Sequence, residues 1–311
     1  MSESGDGAME LNRFSGNPIL TPIRNNSWES KMVFNPGAYL NGSNIHILYR
    51  AVDENYTSHI GYASSKNGLK IDERLDKPVI TPEYEWEKLG IEDVRVNKID
   101  NHIYITYTAL SNNGPRVAIA ETKDFTSFIK KGLIGPNHYD KDAVFFPKRI
   151  DGKIILLHRI EPNIQLAYFE SVADIFNPPK EYWKKNMDNI ENFTLLKPKQ
   201  EWEMAKIGAG PPPIETDRGW ILLYHGVDQF KVYRVGAVLL DLDTPSKILA
   251  RTTEPLLQPK EWYEHWGYIP DVVFPTGTAL IDETLYVYYG AADTTCCVAT
   301  TNINDLLKKL K

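Results

Sequence analysis

Short apolar runs recur along the chain, and in most of them hydrophobic and polar residues alternate with the period of a β-strand. Five runs share one shape, at 45–53, 103–109, 154–160, 221–228 and 285–293. Each climbs through Ile, Leu or Val to an aromatic residue or His. Aligned on Tyr49, Tyr107, His158, Tyr224 and Tyr289, they are spaced by 58, 51, 66 and 65 residues. Before each run stands a hairpin signal: Asn41-Gly42, Asp100-Asn101, Asp151-Gly152, Arg218-Gly219 and Asp282-Glu283. Before each turn lies another strand-like stretch, at 33–37, 93–96, 142–146, 208–212 and 271–275. A third follows each run, at 59–63, 116–120, 164–168, 233–238 and 296–299. Five repeats of a short-strand meander predict an all-β fold, a five-bladed β-propeller. The period exceeds the roughly 40–45 residues of the shortest blade families, so the surplus is expected as loops on one face. Helix is expected only at 172–176 and 304–310.

Composition narrows the class. Of 311 residues, 42% are hydrophobic and 24% charged, which suits a folded domain with a sizeable core. Residues 1–9 are small, polar and acidic. They read as a disordered or appended tail, leaving 10–311 as a single propeller domain. A net charge of −6 argues against nucleic acid or an anionic membrane as partner. Any anion site must therefore be a local cluster of cations. Cys296 and Cys297 are the only cysteines, and adjacent cysteines rarely bridge each other. That fits a reducing, cytoplasmic setting. No apolar run reaches the ~18 residues of a membrane span, and no signal peptide stands out. No metal-ligand spacing, P-loop, GxGxxG or GxSxG appears, so no cofactor is expected.

The repeat turns scattered charges into a constellation. In a propeller the first strand of each blade lines a central channel. The internal alignment then places Asn35, Asp93, Asp142, Gly208 and Asp271 around one funnel. It places Arg50, Thr108, Arg159, His225 and Gly290 at the ends of the second strands. Asp93, with Glu92 before it and Arg95 after, is a candidate proton donor; the competing reading is a structural ion pair. Arg159, Lys206, His225 and Lys141 come from different repeats and form a candidate anion site, against scattered surface charge. Arg159 and His225 end apolar strands, where an unpaired charge is costly. Asp53, Asp228 and Asp293 follow their strands and either bind sugar hydroxyls or make local turns; Asp293 is the favoured sugar ligand. Trp86, Trp202, Trp262 and Trp266 are either sugar platforms or loop packing.

The stretches 90–95 (GIEDVR), 206–212 (KIGAGPP), 224–228 (YHGVD), 272–274 (VVF) and 289–293 (YGAAD) together resemble glycoside hydrolase family 130, the β-mannoside phosphorylases. The resemblance runs from about residue 12 to 303. It implies a five-bladed propeller and an inverting phosphorolysis, in which a β-mannoside and inorganic phosphate give α-mannose 1-phosphate. Asp93 matches the proton donor, acting through the mannose 3-hydroxyl. Arg159, Lys206, His225 and Lys141 match phosphate-binding positions. Asn35, Arg50, Arg95, Asp271 and Asp293 are the expected sugar contacts. Val94 stands where the family usually has Pro. The 233–241 and 245–251 stretches are most similar to the branch acting on short β-1,2-linked mannosides, with β-1,4 linkage as the alternative.

The chemistry agrees with that resemblance. Inverting hydrolysis needs an acid and a second carboxylate to activate water. Phosphate is already an anionic nucleophile, so cations can replace the base. Two rivals remain at this stage: a β-1,2-mannosidase using Asp142 or Asp271 as base, and a sugar-binding propeller without activity. Self-association through the loops stays open.

Overall fold

The structure, a computed structural model, describes residues 9–310. The tail expected at 1–9 falls outside the described residues except for Met9, which packs against the core.

The chain forms five antiparallel meanders in sequence order. The first comprises Met32–Asn41, Asn44–Val52, Ser58–Ser65 and Glu73–Arg74. The second comprises Gly90–Ile99, His102–Ser111, Gly114–Thr122 and Phe128–Ile134. Lys141–Phe145, Ile154–Arg159, Ile164–Phe169 and Thr194–Leu196 make the third. The fourth has a broken first strand, Lys206–Ala209 then Ile214–Thr216, because Pro211, Pro212 and Pro213 cannot donate to a ladder. It continues with Gly219–Val227, Tyr233–Leu240 and Ile248–Arg251. The fifth comprises Val273–Ile281, Thr284–Ala291 and Thr295–Asn302. Its outer strand is the N-terminal Asn12–Arg13, with Asn12 opposite Thr300 and Arg13 opposite Ala299. A two-residue strand carries no periodicity, and the sequence reading did not find it.

Each meander packs its face on the next. Leu48 and Ile60 of the first meet Ile91 and Tyr107 of the second. Tyr104 and Ile119 of the second meet Phe145 and Leu156 of the third. Leu157 and Leu166 of the third meet Ile207 and Trp220 of the fourth. Ile221 and Val235 of the fourth meet Val273 and Val287 of the fifth. Tyr288 and Val298 of the fifth return to Val33 and Ile47 of the first. The hairpin turns fall where Gly42, Asp100, Asp151 and Asp282 adopt positive φ.

The first strands carry the feature that builds the site. Asn35, Asp93 and Asp142 all sit at positive φ, within register shifts between Phe34 and Gly37, Glu92 and Arg95, and Lys141 and Val144. Asn and Asp tolerate this left-handed conformation better than other residues, and a bulge re-aims its side chain. Phe34, Glu92, Lys141, Gly208 and Phe274 stand opposite Arg50, Thr108, Arg159, His225 and Gly290. By this register the fifth-meander counterpart of Asp93 is Pro275, whereas Asp271 precedes its strand.

A second repeated device ties the outer strands to the interior. Glu29, Glu87, Glu203 and Glu264 are fully buried just ahead of four of the first strands. They accept from the hydroxyls of Tyr49, Tyr107, Tyr224 and Tyr289 at 2.9, 3.2, 2.8 and 2.8 Å. Each also pairs with a cation on the outer strand: Arg74, Lys130, Arg251 and Arg13. In the third meander His158 and Asp140 take this place, 2.9 Å apart. Removing one partner strands the others in a dry interior. Glu203→Ala is therefore expected to lower unfolding stability by about 3 kcal/mol in urea. Lys148→Ala, which breaks an exposed pair with Glu215, should cost less than about 1 kcal/mol. Equal effects from the two would contradict this reading.

Helices lie at Val172–Phe176 and Ile303–Lys309, matching the two expected. Three more, Tyr182–Asp188, Ile190–Phe193 and Trp262–His265, occupy inter-strand loops. Trp202 stacks on Tyr224 with its indole N–H on the Thr253 carbonyl, and Trp86 stacks on Tyr84, so both serve loop packing. Trp262 and Trp266 are exposed.

Candidate active site

The bulged first strands and the ends of the second strands meet at a cavity of about 670 Å³. Asn35, Arg50, Asp93, Lys141, Arg159, Lys206 and Asp293 all line it. Residues from all five meanders thus converge, as the repeat alignment anticipates.

Asp93 sits on one wall, almost fully buried. It accepts from the Asn35 amide at 2.7 Å, with Arg50 at 3.5 Å and Lys141 at 3.9 Å. Gly290 makes room for Asn35, since a Cβ there would collide with the Asn35 Oδ1. Burial pushes the Asp93 carboxyl up, yet Arg50, Lys141, Arg95 and Asn35 together hold it below its ordinary value. Glu92 braces both cations, 2.7 Å from Arg50 and 2.9 Å from Lys141. Asp293 behaves oppositely. Burial drives its carboxyl up to about 7, and the charges of Asp93 and Glu92 add to that despite Arg50 and Lys141. Of the two carboxyls, Asp293 is therefore the one that takes up a proton first as pH falls.

Arg159 and Lys206 bring two cations to the same lining. Arg159 pairs with Asp142 at 2.8 Å and with Glu161 at 3.3 Å, and Lys206 reaches the same Glu161 oxygen at 2.9 Å. The buried Arg159 Nε has no hydrogen-bond partner. Asp142 is 1% exposed in its side chain and is clamped between Arg159 and Arg95, the latter at 2.9 Å. Burial raises its carboxyl, but Arg159 and Arg95 outweigh that and hold it far below the usual range.

Several sequence expectations change here. His225 is fully buried and is no cation: burial lowers its imidazole to about 3, against the pull of Asp142. Its Nε2 lies 3.2 Å from an Arg159 N–H and accepts from it. Gly208 permits this packing, because a Cβ would strike both the His225 ring and the Asp142 carboxylate. Arg95 was expected on the sugar but lies beneath the cavity floor, 1% exposed. Its guanidinium donates to the Asp93 carbonyl at 2.7 Å and to the Ala209 carbonyl at 3.2 Å. Asp271, also expected on the sugar, precedes the fifth sheet and is bound to His265 at 2.6 Å. Asp53 and Asp228 cap turns, each accepting from two backbone N–H groups, which is the local-turn alternative. Glu161, Tyr233 and Phe274 line the cavity without having been anticipated. A lone acid in a turn and two aromatics in strands carry no signal of their own.

Comparisons with known proteins point one way. The family model described as β-1,4-mannooligosaccharide phosphorylase matches residues 11–311. A 1,2-β-oligomannan phosphorylase from Thermoanaerobacter sp. (strain X514) is 40% identical, over 96% of this chain and 99% of its own. A β-1,2-mannobiose phosphorylase from the same organism is 38% identical, over 93% of this chain and 96% of its own. The solved β-1,2-mannobiose phosphorylase of Listeria innocua, in complex with β-1,2-mannobiose, is 28% identical with a TM-score of 0.83, covering 97% of this chain and 99% of its own. With the family model spanning nearly every residue that builds the five meanders and their shared cavity, the chain belongs to glycoside hydrolase family 130.

Proposed function

We propose that the protein is a phosphorylase that cleaves short β-1,2-linked mannosides with inorganic phosphate, releasing α-mannose 1-phosphate and needing no other cofactor. The observation that carries this is the make-up of the cavity: the acid Asp93, held by Asn35, Arg50 and Lys141, shares it with the cations Arg159 and Lys206. The two carboxylates that the sequence offers as a hydrolase's base are committed elsewhere. Asp142 is locked between two arginines, and Asp271 is bound to His265. Phosphate brings its own negative charge and needs only to be held in line with the anomeric carbon.

In this reading residues 10–311 form one catalytic domain, a five-bladed β-propeller. The return of fifth-meander packing onto the first, and the N-terminal strand in the fifth sheet, support a closed ring. Asn35, Arg50 and Asp293 hold the mannose. Arg159, Lys206 and Lys141 bind phosphate, with His225 orienting Arg159 and Arg95 orienting Asp142. Asp93 donates the proton through the mannose 3-hydroxyl. Arg50 and Lys141 favour the ionised form of Asp93. A phosphate dianion beside Lys141 weakens that hold, so Asp93 gains its proton once the nucleophile is in place.

The β-1,2 assignment draws on the two relatives whose names specify that linkage. The family model's own description favours β-1,4 instead. Incubating the protein with β-1,2- and β-1,4-mannobiose in phosphate and assaying mannose 1-phosphate separates them. Faster release from the β-1,2 dimer is expected. Release from the β-1,4 dimer alone would overturn the linkage.

A further inference from the structure

Glu161 is an unusual neighbour for an anion site. It follows the second strand of the third meander, in a turn closed by the Asn163 N–H on the Ile160 carbonyl. The same turn is fixed to the first strand of the fourth meander, where the Ile207 N–H donates to the Pro162 carbonyl at 3.0 Å. The backbone is thus held, and only the side chain is free to move. One oxygen of Glu161 bridges Lys206 at 2.9 Å and Arg159 at 3.3 Å, and the carboxylate forms part of the cavity wall. Phosphate needs those same donors. Two anions cannot share them without strong repulsion, so one must yield. Asp142, the other carboxylate on Arg159, is sealed in, whereas the Glu161 side chain is 56% exposed. Glu161 is the one able to leave.

We propose that Glu161 is a resident anion that pairs with the phosphate cations Arg159 and Lys206, competes with phosphate for them, and returns to expel the phosphorylated sugar. This rests on the phosphorylase reading above. While Glu161 is in place, Lys206 and Arg159 keep a partner and stay aligned. When phosphate enters, Glu161 swings toward solvent at little cost, because it is already half exposed. When α-mannose 1-phosphate has formed, the carboxylate competes with its phosphate group and speeds release. Glu161 takes no part in bond making and is a positioning residue with an effect specific to anions.

The test is the kinetics of Glu161→Gln and Glu161→Ala at saturating mannobiose. Both variants are expected to lower KM for phosphate by roughly 5-fold, the scale of one half-exposed ion pair. The inhibition constant of sulfate, an unreactive phosphate mimic, should fall by the same factor, while KM for mannobiose stays unchanged. An unchanged or raised phosphate KM in either folded variant would overturn the proposal and make Glu161 a structural brace for Lys206. If the unmodified protein forms no mannose 1-phosphate at all, the phosphorylase reading fails first. Sulfate binding measured by calorimetry then still reports on Glu161: tighter binding in both variants supports a competing carboxylate, and unchanged binding overturns it.

Discussion

Asp93→Asn is expected to lower turnover on mannobiose by about 10³-fold while leaving the fold intact. The two side chains have the same shape. The Oδ1 atom that accepts from Asn35 at 2.7 Å survives as an amide oxygen, so the positive-φ bulge keeps its anchor. What is lost is the carboxyl that the proposed mechanism uses to pass a proton to the departing sugar. Arg50 keeps its ion pair with Glu92 and its hydrogen bond to Ser58, so KM for the mannoside should move far less than kcat. Steady-state kinetics with near-ultraviolet circular dichroism checks this. Turnover within 10-fold of the unmodified protein, on a folded variant, would remove Asp93 from the chemistry.

Arg159→Ala is expected to be the second large effect, and a different one. Arg159 joins Asp142, His225 and Glu161, at 2.8, 3.2 and 3.3 Å, and its Nε lies buried without a partner. Truncation removes the central donor of the proposed phosphate site, and charge-assisted contacts of this kind are among the strong ones. The ratio kcat/KM for phosphate should fall by about 10²-fold or more, with KM for mannobiose moving little. Asp142 would keep only Arg95 as a close ion-pair partner, and a buried carboxylate stripped of one cation is destabilising, so the melting temperature should drop as well. Unchanged phosphate kinetics would place the nucleophile elsewhere in the cavity.

How far the sequence led depends on the range of each signal. Strand alternation, hairpin turns and the five-fold repeat are local patterns, and the strands lie where those patterns put them. Asn35, Arg50, Asp93, Lys141, Arg159, Lys206 and Asp293 could be brought to one cavity on the repeat alone. Asp271 could not be placed correctly, because the bulges shift register inside the first three meanders and the fifth shifts between Pro275 and Gly277 instead. His225 looked like a cation because burial is invisible in a string of letters; inside the protein its charge is too costly to keep. The buried glutamates were legible and went unread. Trp-Glu recurs at 28–29, 86–87 and 202–203, with Tyr-Glu at 263–264, each ahead of a first strand. The tryptophans drew attention, while the acids beside them hold the meanders to their outer strands. Glu161 left no trace, since its meaning comes from bridging Arg159 to Lys206, which is 45 residues away.

The central claim is that a wall of cations lets phosphate replace water as the nucleophile. The most direct measurement is product analysis of β-1,2-mannobiose cleavage with and without inorganic phosphate, scoring mannose 1-phosphate against free mannose. The account predicts mannose 1-phosphate when phosphate is present and almost no cleavage when it is absent. Free mannose released equally well without phosphate would contradict it.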